Sequence, residues 1–228
     1  MNKYKLLILT CFFLLTICFS KVNAMVNSYS LMGRIICLDS GHGGIDTGAK
    51  NSNIVEKDLN LILSKKLEKQ LTSRGAIVYQ TREDDYDLST TTTGRKKSDL
   101  YNRAKYINQI KPDMFISIHL NATTNPSWRG LQIFYTNKNE QNKIIAEIIT
   151  SYLKNNMSNV RNTKKDNSYY MYKHINYPGI LIEAGFISNP NDNYLLRQSA
   201  YQDRLVALIS NAIEIYFQNN WKINKYIV

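Results

Sequence analysis

The stretch from Arg34 to Glu56, RIICLDSGHGGIDTGAKNSNIVE, decides how the rest of the chain is read. Arg34-Ile35-Ile36-Cys37-Leu38 is a short apolar run with β-branched residues, the pattern of a buried strand, and Asp39-Ser40-Gly41-His42-Gly43-Gly44 ends it. His42 therefore arrives at a strand's end between glycines, which let the backbone come close to whatever the imidazole faces. Taken alone, His42 reads more readily as a polar residue in a plain glycine turn. The ligand reading depends on other metal-competent residues arriving at strand ends.

Downstream, a helix is expected from Asn53 to about Leu71, with Leu59, Ile62, Leu63, Leu67 and Leu71 at helical spacing. Glu56 falls in its first turn, where the helix dipole favours an acid anyway; its second reading is a metal ligand beside His42. Gly75 ends the helix and Ala76–Gln80 reads as the next strand, which makes a βαβ unit and predicts parallel strands with helices packed on the sheet. Arg82 follows that strand. Arg82 and Arg103 can hold a substrate carboxylate or pair with local acids, and the local option is preferred. A polar, threonine-rich loop precedes a helix over Ser98–Ile110, which Pro112 stops.

Met114–Asn121, MFISIHLN, is nearly continuous in its apolar run, as a central strand buried on both faces should be, and His119 stands at its C-terminal end. Ligands gather at the carboxyl ends of strands in open parallel sheets, and Asn121 sits there too. A strand over Leu131–Tyr135 and a helix over Glu140–Lys154 follow. Asn155–Asn176 is polar and tyrosine-rich without periodicity, a long loop or variable strand at the rim. It contains His174, by default a solvent-facing or hydrogen-bonded residue and otherwise a neighbour of the substrate. Pro178–Phe186 then repeats the signature of an apolar strand ending in an ionisable residue and a glycine. A buried Glu183 needs a partner or a task. A helix from Ala200 to Phe217 closes the chain, and the tail to Val228 is expected at the surface.

Residues 1–24 carry Lys3 and Lys5, an apolar run from Leu6 to Phe19, and Val22-Asn23-Ala24, the pattern of a secretory signal cleaved after Ala24. The run is shorter than the ~20 residues a spanning helix needs, so an uncleaved anchor is the second choice. Removing it takes Lys3, Lys5 and Lys21, lowers the formal charge from +11 to +8, and leaves Cys37 as the sole cysteine, inside a strand. The remaining stretch, 25–228, is one catalytic domain's length. A basic exported domain suits an anionic matrix such as cell wall. Scattered lysines without a nucleic-acid motif argue against nucleic acid, and membrane contact is expected only through an uncleaved leader.

Two histidines and a glutamate fill three positions of a tetrahedral zinc site and leave the fourth for water, the pattern of catalytic zinc. A further carboxylate, Glu183, can then move the proton between water and a departing amine, which makes amide hydrolysis the natural reaction. With these positions in view, the sequence resembles the zinc-dependent N-acetylmuramoyl-L-alanine amidases of the type 3 family. The matching stretches are Leu38–Gly44, Glu56–Leu61, Thr81-Arg82, Phe115–Ala122 and Leu181–Pro190. The resemblance implies His42, Glu56 and His119 as zinc ligands and Glu183 as catalytic carboxylate. It also implies an α/β fold with a largely parallel six-stranded central sheet flanked by helices. Ser40 departs from the family's usual proline.

Within the family the chain is most similar to the spore-cortex amidases. Segments at Gly94–Leu100, Ser127–Gly130 and Met171–His174 carry that similarity. It implies a peptidoglycan substrate, a place in the cell wall or in the forespore intermembrane space and cortex, and stem removal ahead of muramic-δ-lactam formation. If activity is restrained, an activating or regulatory protein partner or weak zinc retention would do it. Two alternatives stay open: another exported zinc wall peptidase, and a catalytically silent wall-binding protein.

Overall fold

Strand β3 (Met114–Asn121) shows how the sheet is built. Side chains alternate across a strand, so Met114, Ile116, Ile118 and Leu120 enter one core while Phe115 enters another on the opposite face. The computed structural model describes residues 12, 13, 16, 30–51 and 53–224. Beside β3 lie β1 (Ile35–Ser40), β2 (Ile77–Gln80), β4 (Gln132–Tyr135), β5 (Lys164–Lys165) and β6 (Gly179–Phe186), in the order β2-β1-β3-β6-β4-β5. The first four of that order run parallel; β4 is antiparallel to β6 and β5 follows β4. The largely parallel, six-stranded α/β sheet is thus as expected, with a reversed pair at one edge.

The larger core lies under three long helices. In α1 (Glu56–Thr72), Leu59, Leu63, Leu67 and Leu71 recur every fourth residue and form one buried stripe. Helices α3 (Glu140–Asn156) and α6 (Ser199–Asn224) add Ile145, Ile149, Ile209 and Ile213 to the same side. The other face is thinner. Cys37, Phe115, Phe134 and Leu181 are covered by Ala104 and Ile107 of α2 (Arg95–Ile110) and by Met171 and Tyr172 of the single-turn α4 (Tyr170–Lys173). A further short helix, α5 (Pro190–Leu196), is capped by the Asn189 side chain.

Some boundaries differ from expectation. Helix α2 begins at Arg95 rather than Ser98, because Gly94 turns the chain at φ 68° and its carbonyl takes the Ser98 amide. Helix α6 continues past Phe217 to Asn224. The stretch 155–176 is a loop, as expected, but carries β5 and α4. The expected signal peptide with its cleavage after Ala24 falls outside the described residues, apart from Phe12, Phe13 and Thr16, as do residues 225–228. Cys37 is fully buried, and burial pushes its thiol far above the ordinary range.

Candidate active site

The carboxyl ends of β1, β3 and β6 deliver the candidate residues to the thinner face. His119 continues the Phe115–Ser117 side of β3, and its register partner on the parallel strand β6 is Glu183. Partners in register share a face, so the imidazole and the carboxylate stand side by side. Glu56 comes from the other side of the sheet, at the first turn of α1, and reaches over the strand ends. Its Oε1 lies 3.1 Å from His119 Nδ1 and 3.2 Å from His42 Nε2. Backbone amides fix it there: Leu120 N–H donates to Oε1 at 3.1 Å and Ala49 N–H to Oε2 at 2.8 Å.

His42 itself sits in the left-handed region, at φ 62°, which a side-chain-bearing residue adopts only when its surroundings hold it there. Two buried arginines do the holding. Arg103 Nη2 donates to the His42 carbonyl at 2.6 Å and Nη1 to the Ser40 carbonyl at 2.7 Å. Arg82 donates to the carbonyls of Ser40, Gly41 and Lys57. Each arginine is 1% exposed. Both guanidiniums are therefore spent on the loop, and their geometry serves that local role rather than a substrate carboxylate. Asp39, also 1% exposed, anchors the arrangement: it pairs with Arg103 and accepts from Thr81 and Ser117. Burial opposes its ionisation, but the Arg103 charge, the Ser117 and Thr81 hydrogen bonds and His119 together outweigh burial and hold its carboxyl below the usual range.

Close approach explains two glycines. A Cβ on Gly41 would stand 2.2 Å from His119 Cε1, and one on Gly48 2.5 Å from Glu56 Oε2. Neither position has room for a side chain.

One nitrogen from each histidine and one Glu56 oxygen lie within 4.8 Å of one another. Ligands about 2.0–2.1 Å from a tetrahedral zinc ion would be spaced roughly 3.3 Å apart. The observed 3.1 and 3.2 Å fit that spacing. A second observation agrees: Glu183, 8% exposed, leaves Oε2 buried and without a hydrogen-bond partner among the described residues, a cost that makes sense if the atom serves an incoming group. Burial raises the Glu183 carboxyl to about 7, against the opposing effect of His119 and with the support of the Glu56 charge. Burial disfavours the charged form of His42, but Glu56 and Asp46 more than offset this and raise its pKa. Glu56 is driven the other way, far down, because the two histidines outweigh its burial.

A cleft of about 260 Å³ opens beside His42 and His119, walled by Leu100, Tyr169, Tyr170 and Tyr172. His174 stands apart from the trio, its ring 4.7 Å from that of Tyr170 and 5.5 Å from that of Tyr101. Asn121 ends β3 beyond an irregularity in register, half-buried, its carbonyl taking the Ile187 amide. Sequence reasoning gave no role to Asp46, whose Oδ2 lies 3.0 Å from His42 Nδ1. Its place four residues after His42 in a glycine turn was the available signal. Asp39 had one too, as a carboxylate at the end of an apolar run, like Glu183.

Comparison with known proteins agrees with this arrangement. A family model described as N-acetylmuramoyl-L-alanine amidase matches residues 36–215, which include every residue of the site. A germination-specific N-acetylmuramoyl-L-alanine amidase of Bacillus subtilis (strain 168) is 40% identical over 195 residues, 83% of this chain and 82% of the relative. The CwlD amidase of Clostridioides difficile, solved in complex with the GerS lipoprotein, is similar with TM-score 0.77 at 36% identity, over 82% of this chain and 99% of that one. An N-acetylmuramoyl-L-alanine amidase from Clostridium difficile 630 gives TM-score 0.71 at 32% identity, over 84% and 98%. With fold, matched residues and relatives in agreement, the chain belongs to the N-acetylmuramoyl-L-alanine amidase family and is a peptidoglycan hydrolase of that class.

Proposed function

We propose that this chain is a zinc amidase acting on spore-cortex peptidoglycan, with His42, Glu56 and His119 holding the metal and Glu183 moving the proton. The observation that carries the reading is the pairing of an orphaned, buried Glu183 with His119 in register, beside three ligand atoms within 4.8 Å of one another. Zinc held there supplies Lewis acidity, lowering the pKa of a bound water towards ~7 and polarising the scissile carbonyl.

The chain's own residues do the rest. Glu183 Oε2 takes a proton from the attacking water and gives it to the departing nitrogen as the carbon–nitrogen bond breaks. The products are the lactyl carboxylate of muramic acid and a stem peptide with a free L-alanine amine. Asp46 orients His42 from its far nitrogen, and the Leu120 and Ala49 amides hold Glu56. The tyrosine-walled cleft excludes water from one side of the reacting bond.

The cortex assignment rests on similarity to the germination-specific relative, and with it an exported location in the forespore intermembrane space or cell wall. The neighbour solved with a lipoprotein supports a protein partner here as well. Digestion of cortex-type peptidoglycan by the domain from Met25, with and without zinc, tests the reading by mass spectrometry. Zinc-dependent release of intact stems is expected. Product ends inside the stem would make the chain a wall peptidase instead, and zinc binding without any release would point to a missing partner.

A further inference from the structure

The row of side chains that contains His119 and Glu183 does not stop at β6. Gln132 on β4 is the antiparallel register partner of Glu183, on the same face, just as Phe134 faces Leu181 one pair further along. Arg161 runs beside β4: its amide donates to the Leu131 carbonyl at 2.8 Å, its Nε to Gln132 Oε1 at 3.3 Å and its Nη1 to the Arg129 carbonyl at 3.5 Å, which leaves Nη2 without a partner among the described residues. Its guanidinium lies 4.7 Å from the ring centre of Trp128 and 5.6 Å from that of Phe186. Stacked in this way the planar fork is fixed before anything binds. Several other arginines have acids: Arg74 has Glu214, Arg95 has Asp87, Arg103 has Asp39 and Arg129 has Asp192. Among the described residues no carboxylate pairs with Arg161, which is only partly buried, beside an exposed Trp128.

The geometry points to a carboxylate-binding corner built by Arg161, Gln132 and Trp128, reached from Glu183 across β4; it rests on the amidase reading above. Strands are spaced ~4.8 Å apart, which sets Arg161 roughly two spacings, about 10 Å, from Glu183 along the row. An extended peptide covers ~3.3–3.6 Å per residue, so a leaving stem whose first nitrogen is at Glu183 places its second residue about 7 Å along, within a guanidinium's reach. That second residue is a γ-linked D-glutamate, whose α-carboxylate is free. The corner binds this carboxylate through the Arg161 fork and so sets which stems the site accepts. The buried arginines of the loop cannot do this, because their donors are already used.

The test compares N-acetylmuramoyl-L-alanyl-D-glutamate whose γ-carboxyl is capped as the methylamide with the same compound carrying an α-amide as substrates of the zinc-loaded enzyme and of Arg161→Gln. The native enzyme is expected to show a KM roughly tenfold lower for the free acid, and Arg161→Gln to erase that preference. Calorimetric titration with L-alanyl-D-glutamate γ-methylamide and its α-amide reads the same contrast without turnover, so a chain that hydrolyses neither substrate fails the amidase reading yet still decides this one. Thermal melts of both proteins establish that the variant is folded. Equal treatment of acid and amide by the native protein, or an acid preference that survives in Arg161→Gln, overturns the corner.

Discussion

His119 and Glu183 are register partners on adjacent parallel strands, and that pairing separates two jobs within one row. His119 turns a nitrogen to Glu56, whereas among the described residues Glu183 has no hydrogen-bond partner at Oε2. Glu183→Gln keeps the shape and removes the base. The variant should retain zinc, measured by metal analysis, and lose stem release by about 10²–10⁴-fold. Normal turnover would remove Glu183 from the reaction.

As the proposed base, Glu183 is also expected to set the acid side of the pH profile. Burial lifts its carboxyl to about 7, and it accepts a proton only when ionised. Its active form is present above that pKa and is lost as pH falls through it. A cation in the trio favours the carboxylate, so in the loaded enzyme the limb should lie below pH ~7, with kcat falling about tenfold per unit beneath it. A pH–rate profile in which kcat stays flat down to the ordinary range of a glutamate would exclude Glu183 as the titrating group.

Asp46 acts one step further out, from the His42 nitrogen that faces away from Glu56. Asp46→Asn removes the charge that orients the ring and supports its basicity. Zinc affinity, measured by chelator competition, should weaken by roughly 10–100-fold with the fold intact. Unchanged affinity would reduce Asp46 to a loop residue.

The ion pair of Asp39 with Arg103 is buried on both sides, at 1% side-chain exposure each. Neutralising one partner strands the other's charge, so Asp39→Asn should lower stability by about 3 kcal/mol in urea unfolding. The pH sign follows from the depressed folded pKa of Asp39: its contribution is present above the unfolded value of ~3.9 and is lost as pH falls towards the folded one. The variant should lack that acid-side loss.

Much of this was legible in the chain because strand ends announce themselves: apolar runs that stop at Asp39, at His119 and at Glu183 place ionisable groups where a parallel sheet opens. Glu56 had two readings, a first-turn acid and a metal ligand beside His42, and helical periodicity alone does not say that α1 covers the opposite face and reaches over. Arg82 and Arg103 had two readings, and only three-dimensional neighbours, the loop carbonyls, distinguish them. The Gln132–Arg161 corner gave no signal. It exists because β4 reverses against β6 in one register, a relationship between segments far apart in sequence. The stretch 155–176 has no periodicity because a two-residue strand and a one-turn helix are too short to show any.

The unequal thickness of the two cores has a mechanical consequence. Three long helices brace one side of the sheet, whereas the reactive side is roofed by α2 and a single turn at 170–173. Cooperative units of a protein open separately, at free energies set by how much each buries. The single turn at 170–173 is therefore expected to open at a lower free energy than the pairing of β3 with β6. Deuterium exchange should show amides 169–175 trading protons well before those of the central strands. The roof, rather than the sheet, is the part of the fold expected to give first.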